Sequence, residues 1–202
     1  MTNGITTCFD LIRHGEPAGG PMFRGGLDDP LSDTGWQQVS AAITEDNQWD
    51  LIITSPLRRC HDFALQLAQQ RQLPLHVEPR FREIGFGDWE GRTSADIMAR
   101  TPDALSRFWN DPVNHPAPRG ESITAFHERV AEAWRHWQKS AAGKRVLVVC
   151  HGGVIRMVLS EVMGIPIDRV FSAVSVPYAC RSRVRVDQSD RGVFSCLQSH
   201  GS

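Results

Sequence analysis

Apolar and polar positions follow two rhythms along this chain. Short apolar runs recur at Cys8-Phe9-Asp10-Leu11-Ile12, Leu51-Ile52-Ile53, Leu75-His76-Val77 and Arg145 to Cys150, the last carrying Val146-Leu147-Val148-Val149. Runs of this length and composition, bounded by polar residues, predict buried strands. Helical spacing fills the intervals: Ser32 to Ile43, Ser55 to about Arg71, Glu121 to Ser140, and Gly152 or Gly153 to about Met163. Ser32 or Asp33 caps the first of these. Ser55-Pro56 opens the second, with Ser at the cap and Pro in the first helical position. Gly143 stops the third. From Ala179 to Leu197 the pattern alternates, as in Arg183-Val184-Arg185-Val186, which predicts one or two edge strands with Arg181, Arg183 and Arg185 facing solvent.

Strands alternating with helices predict a layered α/β fold with a mostly parallel sheet. Residues 85–118 break the rhythm. They are rich in Trp, Pro, Gly and Asp, and predict a long excursion with short helices covering one end of the sheet. Trp109 within it, and Trp134 and Trp137 further on, are expected in the core. No linker divides the chain, so residues 1–202 are read as one domain.

Composition narrows the class. The 202 residues are 41% hydrophobic and 22% charged, with a formal net charge of -1. That balance gives no bulk attraction to nucleic acid or to an anionic membrane. No run is long enough to span a bilayer and no secretory leader is visible, so the expected location is cytoplasmic. Five Cys in no paired spacing read as reduced thiols. His61, His76, His115, His127, His136 and His200 show no metal-ligand spacing, so neither a metal nor another cofactor is expected.

Two of the strands end alike. Phe9 to Ile12 runs into Arg13-His14-Gly15, and Val146 to Cys150 runs into His151-Gly152-Gly153. In a parallel sheet these strand ends gather at one edge, where ligands of open α/β folds bind, and Gly lets the backbone turn closely there. A third strand end leads to Arg58-Arg59 in a first helical turn, where a cation is unfavourable for the helix itself. Arg58 is expected to be a surface charge; Arg59 joins Arg13, His14 and His151. Forked Arg donors match phosphate oxygens, and a neutral imidazole is a competent nucleophile toward phosphorus. The neighbouring Arg charges keep an imidazole neutral. Glu83, Asp88 and Glu90 all qualify as the proton donor for the leaving oxygen, and physics alone does not choose among them.

These segments resemble the histidine phosphatase superfamily, which includes the cofactor-dependent phosphoglycerate mutases. The similarity rests on five motifs in order: Leu11-Ile12-Arg13-His14-Gly15-Glu16, Asp29-Pro30-Leu31-Ser32-Asp33-Thr34-Gly35, Ser55-Pro56-Leu57-Arg58-Arg59, Arg82-Glu83-Ile84 through Gly91, and Val149-Cys150-His151-Gly152-Gly153. Phe63 stands where the family often has Thr. The resemblance implies a three-layer α/β/α sandwich of the phosphoglycerate mutase type. It implies that His14 becomes phosphorylated, that Arg13, Arg59 and His151 hold the phosphoryl group, and that Glu83 is the general acid and then the base. It also places Gly152, Arg24 and Glu16 against substrate. The Phe86-Gly87-Asp88-Trp89-Glu90 segment, Gln72-Leu73-Pro74-Leu75 and Trp109-Asn110-Asp111 look most like the α-ribazole phosphatases. The implied substrate is a small phosphorylated metabolite, α-ribazole 5′-phosphate in cobalamin synthesis, with the protein a monomer or homodimer. Rival readings are a broad-specificity or fructose-2,6-bisphosphatase-like phosphatase, a mutase, and a phosphate-binding protein with a dead site.

Overall fold

In the computed structural model, which describes residues 4–44 and 48–201, six strands form one sheet. They are β1 (Ile5–Arg13), β2 (Leu51–Thr54), β3 (Leu75–Val77), β4 (Arg145–Cys150), β5 (Arg181–Ser189) and β6 (Gly192–Gly201). The spatial order is β3-β2-β4-β1-β5-β6. β3, β2, β4 and β1 run parallel; β5 is antiparallel to β1, and β6 is antiparallel to β5. The central strands are apolar on both faces because helices cover both. α1 (Asp33–Ala41) and α2 (Arg58–Arg71) pack on one face, over Ile12, Ile52, Leu147 and Val149. α5 (Ile123–Ser140), α6 (Gly152–Met163) and the short α7 (Val170–Ala173) cover the other, over Phe9, Leu11, Val146 and Val148. The result is a three-layer α/β/α sandwich. No helix among the described residues is long and apolar enough to cross a membrane.

The 85–118 segment folds as α3 (Ser94–Arg100) and α4 (Ala104–Asn110) after a 3₁₀ turn at Gly87–Trp89. It has a small core of its own, with Trp89, Ile97, Leu105, Phe108 and Ala117. Trp134 is core as expected, but Trp137 is only partly buried and donates its indole N–H to Glu78 Oε2 at 2.9 Å.

Two expectations are corrected here. β5 is not an edge strand, since β6 covers it. Arg183 lies opposite the buried Asp10 of β1 and grips both carboxylate oxygens, at 2.8 and 3.0 Å, while Trp49 donates to Oδ2 at 2.8 Å. The Arg alternation therefore answers a buried charge as well as facing solvent. The second helix also begins at Arg58 rather than Ser55, and Leu57 is its extended cap. Ser55 stays in the sheet pattern, its N–H bonded to Val149 O at 3.0 Å, and its hydroxyl has another partner.

Candidate active site

The ends of β1, β2 and β4 converge as a parallel sheet requires. His14 continues the ladder through its N–H to Cys150 O at 3.0 Å, so its side chain sits beside that of His151. The two rings are 5.1 Å apart, centroid to centroid, and inclined at 66°. The turn after His14 packs backbone to backbone on α1. A Cβ on Gly15 would fall 2.0 Å from Gly35 O, so only glycine permits this approach.

His14 Nδ1 lies 2.7 Å from Gly15 O. A carbonyl only accepts, so Nδ1 carries the proton and Nε2 keeps its lone pair, with no hydrogen-bond partner among the described residues. Burial, and then the charges of Arg59 and Arg13, hold the His14 pKa well below the ordinary value. Burial, Arg59 and His14 do the same for His151. Both imidazoles are thus neutral. His151 Nε2 meets the Ser55 hydroxyl at 2.7 Å, and the Cys60 sulfur lies 3.6 Å from the same nitrogen. Burial pushes the Cys60 thiol up, so it is a neutral neighbour.

Two arginines flank the rings. Arg59 is 1% exposed, and its terminal nitrogens donate to Leu27 O at 2.6 Å and Gly25 O at 2.9 Å. Arg13 donates Nη1 to Val176 O at 2.7 Å and stacks on Tyr178, its guanidinium carbon 4.2 Å from the ring centroid. The Nε–H of each is buried with no partner. A buried unpaired donor costs about 1–3 kcal/mol, and on a charged group more. An anion between them removes that cost.

Glu83 enters the cleft from the other side. Its Oε2 accepts from Gly153 N at 3.2 Å and its Oε1 from Ile84 N at 3.1 Å. The rival acids are engaged elsewhere: Asp88 pairs with Arg119, and Glu90 Oε1 accepts from Gly26 and Phe86 N–H. Gly152 lines the cleft beside these groups; the cleft is open to solvent and holds ≈ 650 Å³ of space. Arg58 is a surface charge, paired with Asp62 at 3.4 Å.

Other residues sit differently from the sequence reading. Arg24 lines the cleft, but its guanidinium is spent on Asp29 at 3.0 Å and on the carbonyls of Ala18 and Gly20. It holds the loop instead of offering free donors. Glu16 is not in the lining; its Oε1 lies 3.2 Å from the Ser32 hydroxyl at the cap of α1. Trp109 is not core. It is 40% exposed and stands on the cleft wall between Phe23 and Phe171, 6.3 and 5.9 Å away.

Sequence reasoning missed Arg156 and Tyr178, both of which line the cleft. The signal for Arg156 was available: it is the one charge between His151 and Glu161 in an otherwise apolar helix. The loop 174–178 carries both contacts. Val174 O accepts from Arg156 Nε at 2.9 Å, and Val176 O from Arg13. His200, at the end of β6, clamps this loop through Nε2 to Ser175 O at 2.7 Å. Among the described residues no group of His, Cys, Asp or Glu could hold a metal ion. The arrangement offers a neutral nucleophilic nitrogen, a cationic cradle and a carboxyl group facing one another, which is the equipment for phosphoryl transfer.

Known proteins share this arrangement of elements. The family model described as the histidine phosphatase superfamily (branch 1) matches residues 9–196. A glucosyl-3-phosphoglycerate phosphatase of Mycolicibacterium vanbaalenii is 32% identical over 170 residues, covering 78% of this chain and 75% of the relative. The adenosylcobalamin/alpha-ribazole phosphatase of Escherichia coli is 29% identical over 182 residues, 88% and 89% of the two chains. The native structure of a mycobacterial glucosyl-3-phosphoglycerate phosphatase superposes with a TM-score of 0.85 at 26% identity, over 98% of this chain and 99% of that one.

Proposed function

The chain belongs to the histidine phosphatase superfamily, branch 1, and from that premise we propose that its phosphomonoesterase chemistry runs through His14. The activity is hydrolysis of a small phosphorylated metabolite by way of a phosphohistidine. The observation that carries the residue assignment is the pair of unpartnered Arg13 and Arg59 Nε–H groups beside the free Nε2 of His14.

The lone pair on His14 Nε2 attacks phosphorus, and the bond to the ester oxygen breaks. The gly15 carbonyl, accepting from Nδ1–H, steadies the charge that develops on the ring. Arg13 and Arg59 donate to the equatorial oxygens, whose charge is spread in the transition state. His151, oriented by Ser55, adds a neutral ring N–H. Glu83 gives its proton to the leaving oxygen as the bond breaks. The resulting carboxylate then takes a proton from water, and the hydroxide attacks the phosphohistidine to release phosphate and restore His14.

The leaving alcohol has two readings. Resemblance in the 85–118 segment favours α-ribazole 5′-phosphate, and Trp109 beside Phe171 offers a flat base a ring to stack on. A free guanidinium in the cleft favours an acid instead, as developed below.

The test is phosphate release from a panel containing α-ribazole 5′-phosphate, 3-phosphoglycerate and fructose 2,6-bisphosphate, in EDTA, with acid quench to trap the intermediate. Acid-labile phosphate on His14 is expected, and His14→Ala should abolish both label and turnover. Full activity in that variant sinks the assignment. Phosphate binding without turnover of any ester favours a dead site.

A further inference from the structure

The phosphoryl cradle does not use every cation in the cleft. Arg13 and Arg59 suffice for a phosphate dianion, and Arg24 is neutralised by Asp29. Arg156 remains. Its Nε is bound to Val174 O, while among the described residues its two terminal nitrogens have no hydrogen-bond partner and no carboxylate within 4.0 Å. The guanidinium sits 5.5 Å from the Phe171 ring centroid, on the aromatic wall that also holds Trp109. Its pKa is lowered, first by burial, and the opposite charge that acts on it most is Glu83, with which it makes no direct ion pair.

Its position fixes which part of a substrate it meets. A Cβ placed on Gly152 would be 3.2 Å from Arg156 Nη1 and 3.4 Å from Arg13 Nε, so the two cations flank one glycine. The Arg charges that bear most on the His14 ring are those of Arg59, Arg13 and Arg24. Arg156 instead feels Glu83 first among charges. Glu83, on the reading above, marks the leaving oxygen. A Cβ on Gly153, the next residue, would meet Glu83 Oε1, and Phe171 of the aromatic wall stands beside Arg156, so Arg156 lies on the leaving-group side of the cleft.

We infer that Arg156, set against Phe171, is a second anion subsite that binds a carboxylate carried by the leaving alcohol. One surplus positive charge matches a carboxylate monoanion better than a second phosphate dianion. The planar fork donates to both carboxylate oxygens, and the ring beneath holds it in place for them. This inference rests on the phosphatase reading and names the substrate class of the same site.

The experiment compares kcat/KM for 3-phosphoglycerate and glycerol 1-phosphate, which differ in having a carboxylate or a hydroxymethyl group at the far end. Glycerol 1,3-bisphosphate is the third arm. A charge-assisted pair predicts at least about tenfold preference for the acid. Arg156→Met should bring the ratio of the two kcat/KM values from about tenfold down to about one, over and above whatever the lost bond to Val174 O costs both substrates alike, and Arg156→Lys should restore part of that ratio. Equal loss on both monophosphates in Arg156→Met overturns the inference, because Arg156 would then serve the phosphoryl group or the loop. So does an absence of preference in the wild type, or a preference for the bisphosphate over the acid. Binding of the same three compounds to His14→Ala, by calorimetry, separates the two readings. An acid preference in binding with no wild-type turnover rejects the phosphatase mechanism and leaves the subsite standing.

Discussion

Replacing Gly153 by Ala tests the proton donor without touching it. An alanine Cβ would stand 2.2 Å from Glu83 Oε1 and 3.1 Å from two ring carbons of Phe126. Contacts below 3.0 Å are essentially never made by real Cβ atoms, so the carboxylate must retreat by roughly 0.8 Å in a closely packed wall. The Gly153 N–H to Oε2 bond, 3.2 Å at present, is lost with it. The backbone itself gains, because Ala is favoured over Gly in a helix by about 1 kcal/mol, so folding survives. A displacement of about 1 Å costs on the order of a hundredfold in rate, inside the ~10²–10⁴ that general acid catalysis supplies. The loss should depend on the leaving group. An alkoxide needs the proton and a nitrophenolate hardly does, so kcat should fall about a hundredfold on an alkyl phosphate and far less on p-nitrophenyl phosphate. Inhibition by inorganic phosphate, which depends on Arg13 and Arg59, should hold steady. Equal losses on both esters would refute the role of Glu83, and so would an unchanged kcat on the alkyl ester.

Three further outcomes follow from the same geometry. His14 and His151 stay neutral in the folded protein well below pH 6.5, whereas in the unfolded chain they take up protons from about pH 6.5 downward. The unfolded state then binds more protons, so stability is full above that pH and falls as pH drops below it; a urea midpoint flat from pH 8 to pH 5 would contradict the burial of both rings. The acid limb of kcat/KM should likewise lie below pH 6.5. The ring of Tyr178 supports Arg13 at 4.2 Å, so Tyr178→Leu should weaken phosphate inhibition by about 3- to 30-fold and Tyr178→Phe should not; equal effects of the two variants would point to the hydroxyl instead.

Much of the fold was written in local pattern. The near-continuous apolar runs of β1, β2 and β4 declare strands buried on both faces, and the His-Gly endings of β1 and β4 declare the edge where ligands bind. What local pattern does not carry is the partner of a polar group. Asp10 draws Arg183 from 173 residues away and so gives one arginine of an apparent solvent face a buried partner. Ser55 looks like a helix cap, yet its hydroxyl serves His151 across 96 residues and the helix starts later. Glu83 stands out from Asp88 and Glu90 only once the Gly153 amide is beside it. Trp109 reads as core by composition, but its neighbours Phe23 and Phe171 come from a distant loop and from α7 and leave one side open.

The reach from Arg13 to the Val176 carbonyl spans 163 residues. During synthesis, at about 5–20 residues per second, the nucleophile emerges roughly 10 to 30 seconds before its cradle can close. Long-range closure of this kind comes late in folding as well, since its entropy must be met before the contact rewards it. Phosphate therefore finds no pocket on a nascent or half-folded chain. As a ligand of the finished molecule alone, it should act as a thermodynamic chaperone, drawing the population toward the native state in proportion to its concentration.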